Sequence, residues 1–269
     1  MIIDFHTHVF PDKIADRTVD ALAKSSDIKP YSDGRVDSLC QRLTDAGVDI
    51  GINLPVLTRP MQFDSVLEFS AGLNKKAYTG SRIISFMGAH PDMENPEEKL
   101  LLIKERGFLG IKIHPDYQST FFDDERYVRI LRAAKELDLI TVTHAGVDGA
   151  YLSEPVKCTP DRVLRLLDKI GGYEKLVLAH YGANFLFDEV LLKLGGLPVY
   201  FDTAYMLHCI DGELFLRILE KHGSERILFA TDSPWRDIAE EVKMIKRYHL
   251  DSAAENNIFS ENARKLLGI

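Results

Sequence analysis

Two histidines separated by one residue, His6 and His8, lie in an apolar N-terminal run that predicts a β-strand. Side chains of a strand alternate between its two faces, so Asp4, His6 and His8 share one face. Two imidazoles on one side suit a metal ion, because neutral imidazole nitrogen is a good ligand for zinc, iron and nickel. A polar strand end explains an isolated His-x-His pair at least as often. Further ligands must therefore come from elsewhere in the chain.

Later predicted strands also end in polar residues. His144 and His180 close the fifth and sixth strands, and Asp232 closes the eighth. Seven of the nine histidines lie at or just beyond a predicted strand end: His6, His8, His90, His114, His144, His180 and His208. In an α/β barrel the chemistry lies at the carboxyl ends of the strands. These side chains are therefore expected to converge on one rim, with Asp4 deeper and orienting a ligand.

Strands and helices alternate along the whole chain. The opening strand is followed by predicted strands at 50–54, 83–87, 108–113, 139–143, 176–179, 199–202 and 227–231, with helical patterns between them. Eight such units in 269 residues favour a closed (β/α)₈ TIM barrel, with a doubly wound open sheet as the alternative. The sequence contains no glycine-rich nucleotide-binding motif after the first strand. No break in composition divides it, so we expect one domain over residues 1–269.

The composition favours a small-molecule partner. Hydrophobic residues make up 45% and charged residues 28% of the chain, and the formal net charge is −8. An acidic protein is a poor partner for nucleic acid or an anionic membrane. The three cysteines form no C-x-x-C pair, which fits a reducing compartment. With neither a signal-peptide pattern nor an apolar run of membrane-spanning length, the sequence predicts a cytoplasmic protein.

The order of these residues resembles the amidohydrolase superfamily of metal-dependent barrels over essentially the whole chain. Lys112 on the fourth predicted strand completes the pattern. Three stretches carry the closest likeness: GIKIHP at 110–115, TDSPW at 231–235 and the ending 258–266. They are most similar to the branch that contains aminocarboxymuconate-semialdehyde decarboxylase, resorcylate-type decarboxylases, and pyrone or lactone hydrolases.

The resemblance implies a metal centre made of His6, His8, His144 and Asp232. Zinc is the first expectation, with manganese, iron or cobalt as alternatives. Three imidazoles and one carboxylate leave an open position, where the pKa of a zinc-bound water falls to about 7. The family implies that His180 assists as a base or electrostatic partner and that Asp232 transfers the proton.

Lys112 has two interpretations. In some branches the lysine at this position is carboxylated and bridges two metals. In the branch that this chain resembles, one metal is usual, and we favour an unmodified cation that pairs with Asp232 or with a substrate carboxylate.

Further cations follow the predicted strands of this acidic chain. Arg59 and Arg236, together with Lys112, predict an anionic substrate that carries a carboxylate. His114 has no fixed role in the family, and either substrate contact or support of a ligand is open to it.

The leading functional hypothesis is a metal-dependent hydrolase of a small cyclic amide, lactone or carboxylated ring compound. The alternative is non-oxidative decarboxylation of an aromatic or muconate-like acid by the same centre. A third hypothesis, a non-catalytic ligand-binding barrel, predicts that a ligand position is missing, whereas every one is present. A homo-oligomer is compatible with the sequence.

Overall fold

Nine short strand segments form the wall of a barrel in the computed structural model, which describes residues 1–269. They are β1 (Ile3–Thr7), β2 (Ile50–Asn53), β3 (Arg82–Ser85), β4 (Met87–Gly88), β5 (Gly110–Ile113), β6 (Ile140–Thr143), β7 (Leu176–Leu178), β8 (Tyr200–Asp202) and β9 (Ile227–Leu228). Only Phe86 separates β3 from β4, and its backbone N–H donates to Asn53 O on β2 at 3.0 Å. These two segments therefore form one barrel strand, which gives the predicted total of eight.

The wall is parallel throughout and closes on itself. Strand pairing runs β1-β2-β3 and β4-β5-β6-β7-β8-β9. The first and last strands meet where Phe5 N–H donates to Phe229 O at 2.8 Å and Asp232 N–H donates to His6 O at 2.9 Å. Closure therefore brings His6 on the first strand beside Asp232, which follows the last strand. It confirms the predicted (β/α)₈ barrel.

Eleven helices surround or follow the strands. They are α1 (Ala15–Ser26), α2 (Val36–Asp45), α3 (Phe63–Lys75), α4 (Pro96–Glu105), α5 (Glu125–Glu136), α6 (Pro160–Ile170), α7 (Phe187–Glu189), α8 (Gly212–His222), α9 (Ile238–Lys246), α10 (Ser252–Asn256) and α11 (Asn262–Leu267). Local sequence sets their ends: Thr159 caps α6 through its hydroxyl, and Gly171 ends it in the left-handed conformation. Sequence periodicity had not predicted α10. No helix has the length and apolar character needed to cross a membrane.

Strand register explains how a lysine comes to lie inside the protein. Lys112 on β5 pairs with Val142 on β6, which in turn pairs with Val177 on β7. Paired residues on neighbouring strands point to the same side of a sheet. The lysine stem therefore lies on an otherwise apolar wall, and the side chain is 1% exposed.

Candidate metal centre

Three of the sequence-predicted ligands converge at the carboxyl ends of β1 and β9. The candidate ligand atoms of His6, His8 and Asp232 all lie within 4.8 Å of one another. Asp232 Oδ1 is 3.5 Å from His6 Nε2 and 3.1 Å from His8 Nε2. We call these three residues the ligand group.

The outer nitrogen of each histidine in the ligand group faces an acceptor. His6 Nδ1 donates to Asp202 Oδ2 at 2.8 Å, and His8 Nδ1 donates to Leu54 O at 3.0 Å. The proton of each neutral imidazole therefore lies on Nδ1, and each Nε2 presents a lone pair toward Asp232. Two lone pairs and a carboxylate oxygen at one point repel each other unless a cation lies beside them; in this structure the Lys112 ammonium lies 3.1 Å from His6 Nε2, and a bound metal would take over that role. The donor set thus fits a divalent metal.

The protonation states of the ligand group also bear on metal binding. Burial, reinforced by the Lys112 ammonium, lowers the pKa of His6 well below its ordinary value, so the ring is neutral. Burial raises the pKa of Asp232, but the contact with His8 and the attraction that protonation of either neighbouring imidazole would bring lower it below its ordinary value. A neutral imidazole beside an ionised carboxylate is the protonation state that metal binding requires.

Lys112 contacts the ligand group through His6. Its Nζ lies 3.1 Å from His6 Nε2 and forms no ion pair within 4.0 Å, so the pairing expected with Asp232 is not present in the structure. Burial lowers the pKa of Lys112 to about 8, against the opposing charges of Asp202 and Asp232. The side chain is therefore mainly an ammonium at neutral pH.

His144 and His180 form a hydrogen-bonded pair beside the ligand group. His180 Nδ1 donates to Ala204 O at 2.9 Å, and with that proton on Nδ1 the Nε2 of a neutral ring is an acceptor. His144 Nδ1 supplies that hydrogen bond at 2.9 Å. The Nε2 lone pair of His144 is buried and has no hydrogen-bond partner. His144 therefore lies outside the ligand group, although its free lone pair leaves it capable of binding a metal.

Asp202 is a site residue that the sequence argument overlooked. Besides accepting from His6, its carboxylate accepts backbone hydrogen bonds from His180 at 2.9 Å and Ala204 at 3.1 Å. It thus connects His6, a predicted metal ligand, with His180, a predicted catalytic residue. Its position as the last residue of β8 was a usable signal, because the other predicted site residues also lie at or just beyond strand ends.

A second group of metal-type ligands lies on the neighbouring part of the rim. Ligand atoms of His114, His144 and Asp148 also fall within 4.8 Å of one another. We call these residues the β5–β6 group. In contrast to the ligand group, His114 Nδ1 faces a backbone N–H, that of Tyr117, at 3.4 Å. The proton of neutral His114 therefore lies on Nε2, which faces Asp148 Oδ2 at 3.5 Å and has no lone pair for a metal.

The two predicted substrate-binding arginines differ in their surroundings. Arg59 is exposed and follows β2. Arg236 is half-buried, and its Nε donates to Oε1 of the fully buried Glu241 at 2.7 Å. The charge of Arg236 is thus paired within the protein, which leaves Arg59 as the arginine with a free guanidinium.

The sequence matches the family model described as amidohydrolase over residues 3–269. The chain belongs to the amidohydrolase family. No protein in the curated set matches it in sequence.

Solved structures of other amidohydrolase-fold proteins align with the full barrel. The 2,6-dihydroxybenzoate decarboxylase from Rhizobium superposes with a TM-score of 0.69 at 16% identity, covering 99% of this chain and 98% of that one. The 5-carboxyvanillate decarboxylase from Sphingomonas paucimobilis gives 0.71 at 16% identity, covering 100% and 99%. A dihydroxybenzoic acid decarboxylase from Polaromonas with bound manganese and 2-nitroresorcinol gives 0.70 at 16% identity, covering 99% and 96%. At this identity the likeness shows that the fold is shared.

Proposed function

We propose that this amidohydrolase-family protein is a metal-dependent, non-oxidative decarboxylase of a small aromatic acid. Convergence of the two Nε2 atoms with the Asp232 carboxylate carries the proposal, because this arrangement suits a cation at the carboxyl end of the barrel. Two solved structures with the same fold are decarboxylases of 2,6-dihydroxybenzoate and 5-carboxyvanillate, and they support the reaction class.

Both nitrogens of His180 are engaged, and this favours decarboxylation over hydrolysis. Nδ1 donates to Ala204 O and Nε2 accepts from His144, so no lone pair remains to take a proton from an attacking water. The hydrolase hypothesis assigns that task to His180. Decarboxylation needs no water at the bond that breaks.

The proposed reaction breaks the bond between the ring carbon and the carboxylate. Carbon dioxide leaves, the ring carbon keeps the electron pair, and a proton takes its place. Asp232 is positioned to take up one proton from solvent and deliver it to the ring carbon, so the reaction consumes that proton and releases carbon dioxide. No oxidant, reductant or water is consumed.

The ligand group would hold the divalent metal, and His144 remains a proposed further ligand. When bound, such an ion supplies a Lewis acid that fixes the substrate carboxylate. Zinc stays the first proposal from the ligand types, and manganese is the alternative because the Polaromonas structure contains it. Lys112 and Arg59 are the cations proposed to attract an anionic substrate, and His114 is proposed to contact its ring.

A substrate panel tests the proposal. Protein loaded with manganese or zinc is incubated with 2,6-dihydroxybenzoate, 5-carboxyvanillate, lactones and cyclic amides, and metal-free protein is the control. We expect release of carbon dioxide from an aromatic acid without incorporation of oxygen from labelled water. Ring opening of a lactone with incorporation of labelled oxygen would overturn the proposal in favour of hydrolysis.

A further inference from the structure

Residues 148–156, which join β6 to α6, lie across the barrel mouth. At one end Asp148 faces His114 in the β5–β6 group. Beyond it the turn Gly149–Tyr151 packs against α1, which belongs to the connection after β1. In the closed barrel β1 and β6 are the first and fifth of eight strands, on opposite sides of the wall. The segment and α1 therefore meet above the site.

This segment is weakly attached to the rest of the protein. Its backbone hydrogen bonds are internal: Tyr151 N–H donates to Asp148 O, and Glu154 N–H donates to Tyr151 O. The side chain of Asp148 accepts from Ala150 within the same turn. None of the nine residues is buried. A segment with few buried apolar contacts and only local hydrogen bonds opens at low free-energy cost.

Both ends of the segment are firmly fixed. Before it, Val147 N–H donates to Asn184 O at 2.9 Å, and Asn184 Nδ2 donates back to Val147 O at 3.0 Å. After it, Lys157 N–H donates to Asp116 Oδ1 at 3.3 Å. Gly146 has φ of 86°, and a Cβ there would lie 2.0 Å from Asn184 N, so the first end tolerates only glycine. Movement is thus confined to the residues between these anchors.

The site beneath is largely closed in this conformation, and His8, with its side chain 15% exposed, is the most accessible member of the ligand group. Lys112, His144, His180 and Asp232 are each no more than 8% exposed. An aromatic acid cannot reach buried groups of this kind unless a covering segment moves. Residues 148–156 form part of this cover, because Asp148 faces His114 and the turn Gly149–Tyr151 packs against α1.

We propose that residues 148–156 form a lid over the candidate metal centre. The lid leaves α1 to admit substrate, and on closing it excludes water and returns Asp148 to His114. The inference rests on the proposed function only in taking this site as the active site. The contact with α1 defines the closed state, and the segment moves about its fixed ends, Val147 and Lys157.

A reversible disulfide tests the lid directly. A Cβ placed on Gly149 would lie 3.7 Å from Ser26 Cβ, within the range of about 3.5–4.5 Å that disulfides require. In Ser26→Cys/Gly149→Cys, oxidation by diamide should lock the lid onto α1, and dithiothreitol should release it. The two single variants, treated identically, control for oxidation of the native cysteines.

Chemical labelling of histidines measures access to the site in the absence of metal and substrate. Diethylpyrocarbonate acylates accessible imidazoles, and peptide mass spectrometry gives the rate at His8 and His114 relative to the exposed His249. We expect labelling in the locked protein to be slower by about tenfold or more than in the reduced protein, because reactivity follows the population of the open state. Equal rates at a confirmed disulfide, or failure of the disulfide to form, would overturn the lid.

Asp148 provides an independent test. Asp148→Ala removes the contacts of the lid carboxylate with His114 and His144, so labelling of His114 should become faster, whereas Glu154→Ala on the same segment should leave it unchanged. Identical rates in both variants would contradict the closing role of Asp148.

Turnover provides a separate test of the lid. If the locked protein loses turnover and regains it with dithiothreitol, opening of the lid is required for catalysis. Absence of turnover in every state contradicts the proposed function and leaves the labelling result standing.

Discussion

The ligand group and the β5–β6 group contain the same residue types at the same spacing. Each has two histidines and an aspartate whose ligand atoms lie within 4.8 Å. They differ in what lies behind the imidazoles: His6 and His8 face acceptors, whereas His114 faces the backbone N–H of Tyr117. The partner of the outer nitrogen fixes the tautomer, and the tautomer decides whether a lone pair points inward. Ligand type and spacing alone therefore do not define a metal site.

The ligand group and the β5–β6 group also differ in the pKa shifts of their carboxyl groups. The imidazoles His6 and His8 keep the pKa of Asp232 below its ordinary value in spite of burial. Burial raises the pKa of Asp148, and burial together with the Asp148 charge raises that of the neighbouring Asp116 to about 7. The ligand group is thus prepared for a cation, whereas carboxylates on the other side tend to hold protons.

The largest effect is expected from removing one imidazole of the ligand group. His6→Ala should abolish stoichiometric metal binding and turnover, while His114→Ala should keep the metal. Metal content after dialysis, measured by plasma mass spectrometry, compares the two, and circular dichroism checks the fold. Loss of metal from both variants to the same degree would remove the distinction between the groups.

A smaller effect should follow from changing the partner of His6 Nδ1. Asp202→Asn weakens the acceptor that fixes this tautomer, and such partners typically change metal affinity by about 10–100-fold. Asp148→Asn, a matched change in the β5–β6 group, should leave the affinity unchanged. Competition titration with a fluorescent chelator measures both. Equal weakening by the two variants would show that metal affinity does not depend on the tautomer of His6.

The smallest effect concerns stability and pH on the β5–β6 side. The pKa of Asp116 is raised to about 7 in the folded state. Its contribution to the free energy of unfolding is therefore fully present below the unfolded pKa and is lost as pH rises through 7. Between pH 4 and pH 8 the wild type should lose at least about 1 kcal/mol relative to Asp116→Asn, since one pKa unit corresponds to about 1.4 kcal/mol. Urea unfolding at both pH values measures this. A pH-independent difference would place Asp116 in a more polar environment than the structure shows.

Much of this architecture was predictable from sequence because it depends on periodicity. Alternating strands and helices give the barrel, and barrel closure places His6 and His8 beside Asp232. Partners that depend on side-chain direction were not predictable. Asp202 binds His6 across the barrel interior, and Arg236 turns to Glu241 instead of remaining free. Residues far apart in sequence meet in these contacts, and no local pattern encodes them.

His144 shows the same limit within one predicted ligand set. Its place at the end of β6 was foreseen, but its Nδ1 donates to His180, and its ring stacks on His114 at 4.2 Å. The rotamer of a strand-end side chain follows from its neighbours on adjacent strands. Sequence spacing therefore predicted its neighbourhood and left its partner open.

Anomalous scattering from crystals grown with manganese or zinc locates a bound metal at one group or the other. We expect one metal peak bounded by His6 Nε2, His8 Nε2 and a carboxylate oxygen of Asp232, with no peak between His114 and Asp148. A peak confined to the β5–β6 group, or none at either position, would contradict this expectation.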